Sequence, residues 1–285
     1  MRIASLLLTA TLTLAACSQG GGGGLADRWS RMPEPSAWQP RAGTCHHNFE
    51  QQLMRSAYDP VDCAASHRFE TAHVGEFASQ APEAPAAGAP EYKQAWADCD
   101  AKASSYLGGQ WRDRQVRIDV SLPTREGWAA GSRWYMCQMG VMEWSGIAST
   151  VLNQSLKGSY ASLPALEWGC GNQPDTGEFE PSDCREPHDT EFVGSFKLDM
   201  NFAAVQSKYA VNDPLFHREC LKLIAGFVGA SSIEKLPRGT GSSYWLPDGK
   251  DWDAGDQSVR CFLWTGGRPV SRSMRNAGIT ALTRG

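Results

Sequence analysis

The sequence predicts an α+β protein built from two homologous small domains, each an antiparallel sheet with one helix pinned to it by a disulfide. Three observations carry that expectation. Eight of the nine cysteines fall into two quartets, Cys45, Cys63, Cys99, Cys137 and Cys170, Cys184, Cys220, Cys261, with separations of 18, 36, 38 and 14, 36, 41. Other residues repeat around them at matching distances, which is the mark of an internal duplication. Each quartet also places its third cysteine on a helix-period stripe and its fourth on a strand-period pattern.

The chain opens with Met1-Arg2, then an apolar run from Ile3 to Leu14 broken by Ser5 and three threonines. A membrane span needs ~20 apolar residues, so 1–17 reads as a signal peptide closed by the lipobox Leu14-Ala15-Ala16-Cys17. Cys17 is the expected lipidation site, carrying diacylglycerol and palmitate; two or more acyl chains give a stable anchor where one does not. The predicted location is therefore the extracytoplasmic face of the cell membrane, held by lipid. Residues 18–40, with the glycine run Gly20 to Gly24, read as a flexible tether. The domains are expected at 41–160 and 161–277, with a tail at 278–285.

The repeat is visible residue by residue. Val61-Asp62-Cys63-Ala64-Ala65-Ser66-His67 answers Ser182-Asp183-Cys184-Arg185-Glu186-Pro187-His188, and Val74-Gly75-Glu76-Phe77 answers Val193-Gly194-Ser195-Phe196. Ahead of the fourth cysteine, Leu122-Pro123, Trp128 and Ala130-Gly131 match Leu246-Pro247, Trp252 and Ala254-Gly255. Ser155-Leu156-Lys157 corresponds loosely to Ser273-Met274-Arg275.

In an exported chain, an even quartet of cysteines is a disulfide framework before it is a metal site. Three connectivities are open within each quartet. Asp213 reads as a helix N-cap with Pro214 at the first position, and Phe216, Cys220, Leu223, Ile224 and Phe227 form one apolar stripe ending at Gly229. Tyr92, Trp96, Cys99, Ala103 and Tyr106 make the equivalent stripe. Val259, Cys261 and Leu263 alternate as in a strand, and so do Val116, Ile118 and Val120. Helix-to-sheet bridges Cys99–Cys137 and Cys220–Cys261 are favoured, which leaves Cys45–Cys63 and Cys170–Cys184. Loops of this size are each expected to contribute ~3–4 kcal/mol through the unfolded chain.

These residues resemble the septum-formation domain found in actinobacterial membrane proteins and lipoproteins. The likeness rests on Gly43-Thr44-Cys45, Cys63 to His67, Cys99 and Pro123 to Cys137, and again on Gly169-Cys170, Cys184 to His188, Cys220 and Pro247 to Cys261. It implies an envelope protein connected with division-septum formation and implies no catalytic mechanism. Ala64-Ala65-Ser66 departs from the pattern, where a proline commonly precedes the histidine; Pro187 keeps it.

His67 and His188 are the repeated polar residues. One reading makes them structural, hydrogen-bonding backbone at a turn. The other joins them to Cys63 and Cys184, with Glu70 or Glu191, as metal ligands, but paired cysteines leave too few thiolates for zinc. No metal or cofactor is expected. His46 and His47 lack counterparts and read as surface residues. Trp128 and Trp252 are expected in the core over the bridge to the fourth cysteine, as is Trp96 on its helix. Trp111, Trp134, Trp144, Trp245 and Trp264 are less constrained, and some of them are candidates for a surface platform.

The sequence holds no nucleophile elbow, Walker loop, dinucleotide fingerprint or His-Glu-x-x-His. Glu178, Glu180, Asp251 and Asp253 read as solvated turn carboxylates. With 27 basic against 31 acidic residues and no basic cluster, nucleic acid is not an expected partner. The expectation is a non-enzymatic envelope lipoprotein that binds or scaffolds another envelope protein. The alternative is a wall-glycan module, and behind that a metal-dependent or hydrolytic enzyme.

Overall fold

Two five-stranded sheets organise the chain. A computed structural model describes residues 36–142, 150–163, 166–173, 179–211 and 214–283. Cys17, the tether glycines, Trp144, Glu178 and Asp213 lie outside the described residues. The first sheet contains β1 (Cys45–His46), β2 (Gln52–Leu53), β3 (Phe69–Glu76), β4 (Val116–Pro123) and β5 (Trp134–Val141), in the order β1-β3-β5-β4-β2. The second contains β6 (Cys170–Asn172), β7 (Glu180–Ser182), β8 (Thr190–Lys197), β9 (Gly241–Trp245) and β10 (Ser258–Trp264), in the order β7-β6-β8-β10-β9.

The second sheet is antiparallel throughout. The first is mixed, because β2 runs parallel to β4. That corrects the expectation of a purely antiparallel sheet. The chain leaves β1 at one edge and crosses to the other before β3 forms. Leu53 pairs there with Pro123, a crossing that residue alternation does not encode.

The helices are α1 (Pro90–Leu107), α2 (Arg125–Ala129), α3 (Phe202–Ala210), α4 (Pro214–Val228) and α5 (Gly249–Ala254). Proline opens α1, and Gly108, at φ 87°, ends it in the left-handed conformation that costs glycine least. Its buried face is Tyr92, Ala95, Trp96, Cys99, Ala103 and Leu107. On α4, Phe216, Cys220, Ile224, Ala225, Phe227 and Val228 are buried. Disulfides Cys99–Cys137 and Cys220–Cys261 fasten α1 to β5 and α4 to β10. Cys45–Cys63 staples the edge strand β1, and Cys170–Cys184 staples β6, which lies between β7 and β8.

One helix per sheet was expected; α2, α3 and α5 are additional. The five and six residues of α2 and α5 are too few to show a helical period. Each is capped by a side chain, Thr124 accepting from the Gly127 N–H at 3.2 Å and Asp248 from the Asp251 N–H at 2.8 Å. Each holds a buried tryptophan. Trp128 donates to the Ala81 carbonyl at 2.8 Å, and Trp252 to that of Met200 at 2.7 Å. Trp128 packs in the core that contains Cys99 and Cys137, Trp252 in the one that contains Cys220 and Cys261.

The packed body exceeds the expected domain limits. Trp38, placed in the tether by sequence, lies 5.1 Å from the Trp134 ring, and Leu166 is buried in the first core. Ala281 and Leu282 of the expected tail are buried in the second. The described residues from Ser36 onward belong to one compact unit.

A buried charge network joins the two sheets' halves. Arg112 lies 2.5 Å from Asp100 and 3.5 Å from Asp256, and Asp256 is 3.7 Å from Arg260. Lys197 reaches Asp100 at 2.6 Å. Both arginines are buried, and their guanidinium groups lie over Trp111 and Trp245 at 4.4 and 4.8 Å. Among the described residues, no helix is long and apolar enough to cross a membrane.

Candidate functional site

The Asp-Cys-x-x-x-His segments are turns that aim a carbonyl at an imidazole. Oδ1 of Asp62 accepts from the Ala64 N–H at 2.9 Å, and its carbonyl accepts from the Ala65 N–H at 2.8 Å. This Asx turn presents the Ala65 carbonyl to Nδ1 of His67 at 2.8 Å. Asp183 does the same for Arg185 and Glu186, each at 2.9 Å, and the Glu186 carbonyl meets Nδ1 of His188 at 2.8 Å. A carbonyl only accepts, so Nδ1 carries the proton in both rings. Backbone exchange pins each histidine as well. His67 pairs with Leu152 through bonds of 2.9 and 2.8 Å, and His188 pairs with Val270 through bonds of 2.9 and 2.8 Å. Both rings are fully buried, and both Nε2 atoms lack a hydrogen-bond partner.

Three residues further on, β3 and β8 each bury a glutamate. Glu70 accepts from the Tyr106 hydroxyl and the Ser155 hydroxyl, both at 2.5 Å, and from the Leu156 N–H at 2.6 Å. Burial, then the hydrogen bond to Glu70, pushes the Tyr106 hydroxyl well above the usual phenol range. Glu191 accepts from the Ser273 hydroxyl and from the Met274 N–H at 2.7 Å. Burial pushes its carboxyl upward, while the bonds from Ser273 and Met274 and the nearby His188 pull the other way. In each loop the serine also accepts from the N–H two residues on, Lys157 at 3.0 Å and Arg275 at 3.1 Å. The loosely corresponding Ser155-Leu156-Lys157 and Ser273-Met274-Arg275 are thus carboxylate-binding loops.

Cys45 Sγ, a ring nitrogen of His67 and a carboxylate oxygen of Glu70 lie within 4.8 Å of one another, as do those of Cys170, His188 and Glu191. The sulfur in each group is that of Cys45 or Cys170, whereas the metal alternative read from sequence used Cys63 or Cys184. Four-residue spacing brings side chains together on a helix, but 63–67 and 184–188 are turns. Both sulfurs are held in disulfides.

A cavity of about 430 Å³ opens beside the second group, lined by Asp113, Arg114 and Tyr160 together with Cys184, Glu191 and Arg275. Burial raises the Asp113 carboxyl, against the opposing pull of Arg114 and Ser195.

His46 is a correction: it is buried, not on the surface. Its Nε2 lies 3.1 Å from Thr44 Oγ1 and 3.2 Å from Thr71 Oγ1, and burial lowers its pKa to about 4. His47 is exposed. Of the tryptophans left unconstrained by sequence, Trp111 and Trp134 are buried, while Trp245 and Trp264 are 38% and 39% exposed. Glu180 and Asp253 are exposed; Asp251 is half-buried. Glu70 and Glu191 entered the sequence reading only as supplementary metal ligands. Their recurrence three residues after each repeated histidine is the signal that marks them. Arg112, Asp256 and Arg260 carried no sequence signal.

Fold and site define a disulfide-framed α+β protein whose buried histidines and glutamates hold backbone. The family model described as septum formation matches residues 42–261, and the chain belongs to that family. No curated protein and no solved structure matches it.

Proposed function

We propose that the protein is a non-enzymatic lipoprotein of the bacterial cell envelope, a binding or scaffold protein acting in septum formation. In this reading it carries two tandem copies of one domain, and a lipid on Cys17 holds it at the extracytoplasmic face of the membrane. The family supplies the septal process, and the lipobox motif supplies the anchor. The recurrence of one set of bonds around His67–Glu70 and His188–Glu191 supports descent of both halves from one domain.

The observation that carries the scaffold reading is the Asp100–Arg112–Asp256–Arg260 network. Two halves joined through buried charges present their outer surfaces in a fixed relation, which suits a protein that positions others. Nδ1 of each repeated histidine and the carboxylate of each repeated glutamate are occupied with backbone and hydroxyl groups, which favours binding over catalysis.

Partly exposed Trp245 and Trp264 support a second reading, a module that stacks on wall glycan. Crosslinking in membranes with the lipidated full chain, beside sedimentation with purified wall, separates the two. The scaffold reading expects a discrete protein crosslink that survives Trp245→Ala and Trp264→Ala, and no retention on wall. Saturable wall binding lost in those two variants would replace it with the glycan reading.

A further inference from the structure

We propose that reduction of the Cys170–Cys184 disulfide converts the buried Cys170–His188–Glu191 group into a binding site for a thiophilic divalent cation such as zinc. Four features of the group point that way. The Cys170 sulfur, a His188 ring nitrogen and a Glu191 oxygen already lie within 4.8 Å of one another. Nδ1 of His188 donates to the Glu186 carbonyl, so the ring's free lone pair is on Nε2, which is buried and has no hydrogen-bond partner. Metal-ligating histidines are oriented in this way, with the second ring nitrogen donating to a backbone carbonyl or a carboxylate. Glu191 is itself oriented by the Ser273 hydroxyl and the Met274 N–H, as ligating carboxylates are.

The fourth feature is access. Cys184 and Glu191 line the cavity of about 430 Å³, so a reductant and then a cation can reach the bridge from solvent. Cys220 and Cys261 are fully buried, and exchange at their bridge is correspondingly hindered. The same trio occurs at Cys45, His67 and Glu70. The proposal is placed on the second group because the cavity reaches it.

The chemistry balances with a dithiol as reductant. Its two electrons and two protons break the Cys170–Cys184 bond and leave two thiols, while the dithiol becomes a disulfide. Cation binding then displaces both thiol protons to solvent. The resulting set is two thiolates, one neutral imidazole and one carboxylate, which matches the four tetrahedral positions that zinc takes in structural sites.

The test uses the mature full chain with Cys45→Ala and Cys63→Ala, so that only one accessible bridge remains. Dithiothreitol is added until two thiols per chain titrate while circular dichroism stays that of the folded protein. Zinc is then supplied and its retention through gel filtration measured. The proposal expects about one zinc per reduced chain and none per oxidised chain, with affinity falling about tenfold to a hundredfold in His188→Gln. A second measurement needs no change at the histidine: zinc should slow alkylation of Cys184 at least tenfold in the reduced chain. Zinc retention unchanged by His188→Gln, or a folded, reduced chain that neither retains zinc nor gains protection at Cys184, would overturn the proposal.

Discussion

The Met274 N–H donates to Oε2 of Glu191 at 2.7 Å, across 83 residues of chain, and the Leu156 N–H does the same for Glu70 at 2.6 Å across 86. Each carboxylate therefore fastens the segment that follows its last long strand back onto the sheet. Glu191→Ala leaves a buried N–H and a hydroxyl without an acceptor, and the expected loss is about 1–3 kcal/mol of unfolding free energy. Glu191→Gln keeps one acceptor and removes a carboxylate that burial already disfavours, so it should lose less. Urea unfolding of the oxidised protein checks the order; an alanine variant as stable as wild type would remove the clamp from the account.

Asp256 is the joint between the halves. It is the carboxylate that meets both Arg112 and Arg260. Asp256→Ala takes from Arg260 the carboxylate it pairs with and leaves Arg112 with Asp100 alone, and breaking a buried pair in this way costs about 3–5 kcal/mol. The two halves should then unfold in separable steps, visible by calorimetry as a second transition. A single transition at the wild-type temperature would show that the network does not join them.

Asp251 has its pKa pushed up to about 6 by burial and by the carboxylates of Asp248 and Asp119, against the pull of Arg117. A carboxyl raised in the folded state stabilises below its unfolded pKa and loses that contribution as pH rises through 6. Asp251→Asn should therefore be neutral near pH 4 and stabilising at pH 8, by about 1–2 kcal/mol after allowance for solvent screening. Melting temperatures of variant and wild type across that range test the sign. Curves that stay parallel would contradict it.

Much of this architecture was legible in the sequence because cysteine spacing and apolar period are local. Cys99 and Cys220 lie on helix stripes and Cys137 and Cys261 in strands, and that is where the structure places their bridges. What the sequence concealed was non-local. The parallel β2–β4 pair depends on a crossing loop, and the buried His46 ring meets Thr71, 25 residues away on β3. Arg112 and Arg260 carry no local pattern, and their burial depends on contacts across the chain such as that of Arg260 with the Trp111 ring. Glu70 and Glu191 were visible as a spacing, but the loops they hold, at Leu156 and Met274, lie more than 80 residues away.

The anchor has its own test. Metabolic labelling with palmitate should mark the wild-type chain, and Cys17→Ala should lose the label and leave the membrane fraction or accumulate as precursor. One acyl chain holds a protein only marginally, so the full diacylated anchor is needed for retention. Membrane retention of the unlabelled variant would show that the chain is held by something else.

The central claim, that this is an envelope scaffold of the septum, is tested most directly by locating the full-length, fluorescently tagged chain in dividing cells of its own species. The account predicts a band at the division site that appears with constriction and disperses in Cys17→Ala. A uniform envelope distribution through the whole division cycle, in a fusion that is stable and correctly exported, would contradict it.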